Sequence, residues 1–121
     1  MENYEYLDKN VRNQLLDLMD GEAEEIIDLI ETLEETNPVY HQQLSNALTD
    51  NNPEGVRNAS HSLKSVYAQI GALQMSTLMN KIEAAAKAGD IQTAHLLHRD
   101  VSQEESRVKQ AFASWKTHLL S

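Results

Sequence analysis

His61 is the residue of this chain best suited to chemistry, because helical geometry turns it away from the apolar stripe of its own segment. When residues 57–72 are wound as an α-helix at about 100° per residue, they sort into two faces. The apolar face comprises Val56, Ala59, Leu63, Val66, Tyr67 and Ile70. His61 lies about 170° from the centre of that face, so its imidazole is predicted to point at solvent.

The predicted neighbours of His61 are two cations and two small side chains. Arg57 lies one turn before it, Lys64 and Ser65 one turn after it, and Ala68 two turns after it. A neutral, exposed imidazole can accept a phosphoryl group if nearby cations hold the transferring oxygens. Lys64 can reach this patch with a mobile ammonium group, and Ser65 and Ala68 leave room for a partner. From geometry alone, an exposed histidine on a polar face is more often simple surface.

Charge is distributed unevenly along the chain. The net charge of −9 argues against nucleic-acid binding, which usually requires a basic face. Acidic residues crowd the sequence up to Glu35, and we interpret them as solvated helix faces. The segment between Glu54 and Glu83 contains no acidic residue, but it contains three basic ones: Arg57, Lys64 and Lys81. This locally positive segment contains His61 and would suit a site that holds an anion.

Composition predicts one all-α domain over residues 1–121. Aromatic residues make up 5% of the chain, and there are only 4 glycines and 2 prolines. No apolar run approaches the roughly 20 residues of a membrane span, and the start lacks an export signal. We therefore expect a cytoplasmic protein without membrane contact. The lack of cysteine excludes disulfides, thiolate chemistry and cysteine-based zinc sites.

The first half of the chain predicts three helices. A short helix covers residues 7–19 and stops at Gly21, and a second begins near Glu22. The apolar phase of the second helix survives Pro38. It is therefore either one kinked helix or two collinear pieces, with Asn37 as a cap and Pro38 at the first helical position. In the third, Asn52 can act as the cap and Pro53 can open the helix that carries His61.

The second half predicts two more helices. Gly71 ends the His61 helix, and the next runs to Lys87, where Gly89 and Asp90 form a stop followed by a cap. The last helix is predicted to run without interruption from Ile91 towards Leu119, with apolar residues every seven positions: Ala94, Val101, Val108 and Trp115. Long helices with short connections predict an up-down antiparallel four-helix bundle with a short extra N-terminal helix.

The segment around His61 resembles a known motif. His61-Ser62-Leu63-Lys64-Ser65, with Ala59-Ser60 before it and Ile70-Gly71-Ala72 after it, is similar to the motif of histidine-containing phosphotransfer (HPt) domains. That motif reads His-x-Leu-Lys-Gly, then small residues, then a hydrophobic-Gly-Ala step. Leu78 and the run from Ile82 to Asp90 also resemble the segment that follows in the family. The likeness covers residues 53–90, and the rest agrees only as a helical pattern.

The resemblance implies a four-helix bundle in which His61 exchanges a phosphoryl group with the aspartate of a response-regulator receiver domain. Lys64 would be the lysine that neutralises the phosphate. The implied partners are receiver domains and a hybrid sensor kinase. The divalent metal belongs to the receiver, and no cofactor is expected on this chain. Ser65 stands where the family usually has glycine, which implies a modest steric cost or an altered choice of partner.

The remaining polar residues give weaker signals. Gln69, on the polar flank of the helix, could bond near the site or simply be solvated. His95 and His98 lie three residues apart, but no carboxylate pair or third histidine completes a metal site. His41 and His118 are predicted at the polar edges of their helices. No Gly-rich phosphate loop or nucleotide-binding signature is present, so the chain is not expected to be an ATP-dependent kinase.

Two main functions follow from the sequence. The first is a phosphocarrier between receiver aspartates that acts through His61. The second is a non-catalytic helical scaffold that binds a receiver or kinase domain through the same face. A third alternative is an inhibitor that occupies a kinase's receiver. A bundle of this length can bury its own core, so we expect a monomer.

Overall fold

The computed structural model describes residues 3–121, and these residues form helices joined by short turns, with no strand among them. A 3-10 turn precedes six α-helices. In chain order these elements are the 3-10 turn Asn3–Tyr6, α1 Lys9–Leu18, α2 Ala23–Thr49, α3 Pro53–Gln69, α4 Leu73–Lys87, α5 Ile91–His98 and α6 Val101–Leu120. The predicted all-α class is confirmed.

Two predicted helix starts are confirmed by their caps. The Asn52 side chain accepts a hydrogen bond from the backbone N–H of Gly55 at 3.2 Å, with Pro53 in the first turn of α3. The Asp90 carboxylate accepts one from the backbone N–H of Thr93 at 3.1 Å. Gly89 precedes it with φ +74°, a left-handed conformation that stops α4. These local signals place the ends of the helices that carry the candidate site.

The helices pack as the predicted four-membered bundle: α2, α3, α4, and α5 together with α6. The core contains one contiguous set of buried apolar side chains. The largest of them that are fully buried include Trp115, Leu7, Ile26, Ile30, Leu44, Leu63, Ile70, Met75, Met79 and Ile82. The extra N-terminal helix, α1, contains no buried residue and lies against the end of the bundle. There the backbone N–H of Asp8 donates to the carbonyl of Gly71 at 2.9 Å.

Of the two alternatives for Pro38, the structure shows the single helix. α2 continues for 27 residues with Pro38 inside it. Asn37 is therefore an interior helical residue rather than a cap, and it is only 6% exposed. Proline lacks an N–H, so it cannot donate to the carbonyl one turn earlier. Packing of α2 along the bundle stabilises the helix across this missing bond.

The prediction of one uninterrupted last helix is wrong. The chain turns at Arg99 and Asp100, where the backbone N–H groups donate to Leu96 and Leu97, three residues earlier. Asp100 then occupies the N-cap position of α6. The apolar residues at seven-residue intervals stay buried on both sides of the turn, so hydrophobic spacing alone does not reveal it. Among the described residues, no helix is both long and apolar enough to cross a membrane.

Candidate phosphoryl-accepting site

His61 lies on α3, on the side opposite the residues that anchor this helix in the core. Leu63 and Val56 are fully buried and Tyr67 is 2% exposed, whereas the His61 side chain is 61% exposed. The structure thus agrees with the exposure predicted from helical geometry. The buried stripe holds α3 in place while the imidazole remains accessible to another molecule.

The sequence prediction missed a buried carboxylate beneath this histidine. Glu83 on α4 has a side chain that is only 4% exposed, and its Oε2 lies 2.7 Å from His61 Nδ1. Its other oxygen, Oε1, accepts a hydrogen bond from Lys64 Nζ at 2.6 Å. Lys87 Nζ lies 3.8 Å from Oε2. One carboxylate therefore connects the histidine with two lysines, and Lys64 is paired rather than free.

Glu83 is charged at neutral pH despite its burial. Burial by itself raises the pKa of this carboxyl, but it is outweighed by hydrogen bonds from Lys64 and His61 and by the charges of Lys64 and Lys87. The net result is a pKa below the usual value. A buried carboxylate is therefore available as an acceptor for the imidazole N–H.

This contact determines which ring nitrogen of His61 carries the proton. A carboxylate accepts hydrogen bonds and does not donate them, so the proton of neutral His61 is assigned to Nδ1, facing Glu83. Nε2 then carries the free lone pair. Because the ring is held by one bond at Nδ1, its Nε2 edge is oriented and not merely exposed.

A small recess of about 230 Å³ adjoins the ring and is lined by Arg57, Asn58, His61, Glu83 and Lys87. Arg57 is exposed on α3, as predicted, and Lys87 stands across from it on α4. The recess therefore has one cation from each of the two helices in its lining. Such an arrangement attracts an anionic group to the histidine.

The other predicted site residues lie further along α3. Ser65 is partly exposed, and its hydroxyl donates to the carbonyl of His61 at 3.2 Å, so it folds back on the helix. Ala68 and Gln69 are exposed. Within the described chain, Gln69 makes no side-chain hydrogen bond to the residues around His61. The partner-binding roles of these three residues and of Arg57 stay predictions.

A signal for Glu83 was present in the sequence. Its position falls between Met79 and Ala86 at spacings of four and three, which is the inner face of α4. A charged residue at a core position requires a partner, and that requirement makes it a candidate functional residue. Its hydrogen-bond partners Lys64 and His61, however, lie 19 and 22 positions away, so only the packing of α3 on α4 reveals them.

The remaining histidines do not join this site. The prediction of His41 at a polar edge is wrong, because its side chain is 11% exposed and its Nε2 lies 2.6 Å from the Tyr67 hydroxyl. Helix α6 covers this side of α2. His118 is exposed and stacks on Tyr4 with 4.5 Å between ring centroids. Among residues 3–121, no group of three or more potential side-chain ligands could hold a metal ion.

The fold and the site define a helical-bundle domain that presents an exposed, oriented histidine beside two cations. The family model of the Hpt domain matches residues 28–111, and the chain therefore belongs to the Hpt domain family. No curated protein and no solved structure gives a significant match. The match includes both helices that build the site, and it confirms the resemblance drawn from the His61 motif.

Proposed function

We propose that this chain is a phosphocarrier in which His61 accepts a phosphoryl group from the phosphorylated aspartate of one receiver domain and passes it to another. Membership of the Hpt family supports phosphotransfer as the general function. The observation that carries the specific proposal is the 2.7 Å contact between buried Glu83 and Nδ1 of an otherwise exposed imidazole. A histidine that was merely surface would not need such an oriented ring.

In the proposed step, the Nε2 lone pair of neutral His61 attacks the phosphorus of the aspartyl phosphate. The N–P bond forms, the bond between phosphorus and the aspartate oxygen breaks, and the aspartate leaves as a carboxylate. The ring then carries a proton at Nδ1 and the phosphoryl group at Nε2, so it is positively charged. Glu83 accepts the Nδ1–H bond and stabilises that charge. Return of the group to a second receiver reverses each step.

The cations around the ring have complementary roles in this proposal. Arg57 and Lys87 flank the recess and can neutralise the phosphoryl oxygens. Lys64 holds Glu83 at 2.6 Å, and its flexible chain can also turn towards the phosphoryl group. The receiver would supply the aspartate and the divalent metal. A hybrid sensor kinase would supply the phosphate, because this chain carries no nucleotide-binding signature with which to use ATP itself.

Phosphate transfer from a labelled receiver tests the proposal. Receiver domains are charged with radiolabelled acetyl phosphate and mixed with the native chain or with His61→Gln. We expect label on the native chain, stable in alkali and lost in acid, and none on the variant. His95→Gln is the matched control, because His95 is an exposed histidine on α5 away from the site. It should accept label like the native chain.

The same mixtures distinguish the scaffold alternative. If native and His61→Gln chains label equally, His61 is not the acceptor. If neither is labelled by any receiver of the source organism, yet receivers bind both, the chain is a scaffold. Incubation with radiolabelled ATP alone should leave the native chain unlabelled, and labelling under those conditions would contradict the absence of kinase activity.

A further inference from the structure

A second recess lies between α2 and α6, behind the helix that carries His61. We call it the Asn37 cleft. It has a volume of about 370 Å³, and its apolar wall consists of Leu33, Pro38, Val108 and Phe112. Asn37 and His41, one turn apart on α2, also line it. The Tyr67 hydroxyl reaches it from the buried side of α3, so the cleft is separate from the His61 recess.

Two buried polar atoms at this cleft have no hydrogen-bond partner within the described chain: Asn37 Oδ1 and His41 Nδ1. Asn37 is 6% exposed and the His41 side chain 11% exposed. A buried polar atom without a partner destabilises a fold, and most such atoms in proteins therefore have one. Because the two residues lie one turn apart on the same face of α2, both atoms that lack a hydrogen bond are next to the Asn37 cleft.

The hydrogen bond to Tyr67 defines what His41 Nδ1 requires, whereas Asn37 Oδ1, as an amide oxygen, can only accept a hydrogen bond. The distance from His41 Nε2 to the Tyr67 hydroxyl is 2.6 Å, which is typical of a hydroxyl donor rather than a ring N–H donor. We assign Tyr67 as the donor, so the imidazole proton lies on Nδ1. His41 Nδ1–H then needs an acceptor, and Asn37 Oδ1 needs a donor. A single hydroxyl group can supply both.

The size and charge of the cleft restrict the ligand further. A volume of 370 Å³ is at the lower end for small-molecule sites. At the rim, Glu34 is already paired with Lys116 at 2.8 Å. Glu105, which lies 3.8 Å from His41 Nε2, faces the opposite charge of Lys109. These features favour a neutral molecule of one or two rings. The four apolar residues would contact its hydrophobic surface.

We propose that the Asn37 cleft binds a small neutral molecule that carries a hydroxyl group on a hydrophobic ring. The hydroxyl donates to Asn37 Oδ1 and accepts from His41 Nδ1–H, while the ring packs against the apolar wall. Water can satisfy the two polar atoms, but it gains nothing from the four apolar residues. This inference does not depend on the proposed phosphotransfer function.

Titration of the full-length chain with phenol, followed by two-dimensional ¹H–¹⁵N NMR, tests this site. We expect saturable shifts at Asn37, His41 and Phe112, and about tenfold weaker binding of benzene, which lacks the hydroxyl. His61→Gln should bind phenol like the native chain. If phenol causes no saturable shifts at these residues up to its solubility limit, the cleft holds water only, and the proposal is overturned. Equal affinity for phenol and benzene would also overturn it.

Two variants assign the contacts. Asn37→Leu removes the amide acceptor at nearly constant volume and should abolish the advantage of phenol over benzene while benzene still binds. Leu33→Trp places a large ring over the cleft from a partly exposed position and should prevent binding of both probes. Unchanged phenol binding in a folded Leu33→Trp chain would overturn the location. Should either variant fail to fold, the phenol and benzene comparison in the native chain still decides.

Discussion

Lys64 links the chemistry of the site with the stability of the fold. Helical geometry alone would make Lys64 replaceable, because it lies outside the apolar stripe of α3. The structure changes this expectation, since its ammonium group is bonded to Glu83, a carboxylate that is only 4% exposed. Removing one partner of such a pair leaves a buried charge less compensated than before.

We therefore predict that Lys64→Met lowers the free energy of unfolding by about 1–3 kcal/mol, as measured by urea denaturation. The matched control is Lys81→Met, because Lys81 is exposed on α4 and has no ion pair in the described chain. Its effect should stay within about 0.5 kcal/mol. In a Glu83→Gln background the cost of Lys64→Met should shrink. Equal effects of the two lysine substitutions would contradict the structural role of Lys64.

Ser65 lies one turn after the histidine along α3 and is partly exposed. Its hydroxyl is turned back onto the His61 carbonyl at 3.2 Å, so it projects little towards a partner. We predict that Ser65→Gln slows phosphate transfer from a labelled receiver roughly ten- to hundredfold, because a longer side chain obstructs the approach. Ser65→Ala is the control and should transfer at the native rate. A native rate for Ser65→Gln would show that clearance at this position does not limit transfer.

At the scale of elements, Gly71 joins three parts of the molecule. It forms the turn between α3 and α4 with φ +84°, and its carbonyl accepts the bond from the Asp8 N–H that precedes α1. A Cβ atom at this position would lie 3.0 Å from Asp8 N and 3.2 Å from Val11 Cβ. Glycine is therefore required both by the backbone conformation and by the close contact.

Gly71→Ala should lower the free energy of unfolding by about 2–3 kcal/mol. Gly89→Ala provides the matched control, because Gly89 has φ +74° but a Cβ atom added there would meet no other atom within 4 Å. Gly89→Ala should lower the free energy of unfolding by about 1 kcal/mol, because it adds only the strain of the left-handed backbone conformation. Urea denaturation of both variants measures the difference. If the two substitutions cost the same, the contact between α1 and the turn contributes nothing.

Much of the element order could be predicted because its signals are local. Asn52, Gly89 and Asp90 act within a few residues, and each performs its predicted cap or stop. The turn at Asp100 was missed because the buried spacing from Ala94 to Val101 continues across it. His61 was predicted to be exposed from helical phase alone. The bond that orients it, to Glu83, comes from the packing of two helices and is not encoded in local spacing.

At the scale of the whole molecule, His41 lies where several helices meet. Tyr67 approaches it from α3, Glu105 and Lys109 face it from α6, His98 lies near it on α5, and Asn37 precedes it on α2. Burial, assisted by the positive charges of His98 and Lys109, lowers the pKa of His41 to about 4. The folded bundle therefore contains a neutral imidazole under conditions in which an unfolded chain would protonate it.

This burial makes the bundle sensitive to acid. The unfolded chain binds a proton at His41 near pH 6.5, whereas the folded chain resists it until about pH 4. The unfolded state therefore binds more protons in this window, and stability falls as pH falls through it. From the two pKa values, we predict that His41 accounts for a loss of about 3 kcal/mol in the free energy of unfolding between pH 6.5 and pH 4.

His41→Gln retains a polar partner for Tyr67 but cannot titrate, so its unfolding free energy should decline less steeply over this range. The measurement is urea denaturation of both chains at several pH values, and the compared quantity is the slope. Carboxylates that do not contact His41, such as Glu83, titrate in both chains and cancel in the difference. Parallel slopes would show that His41 is protonated in the folded bundle as readily as in the unfolded chain.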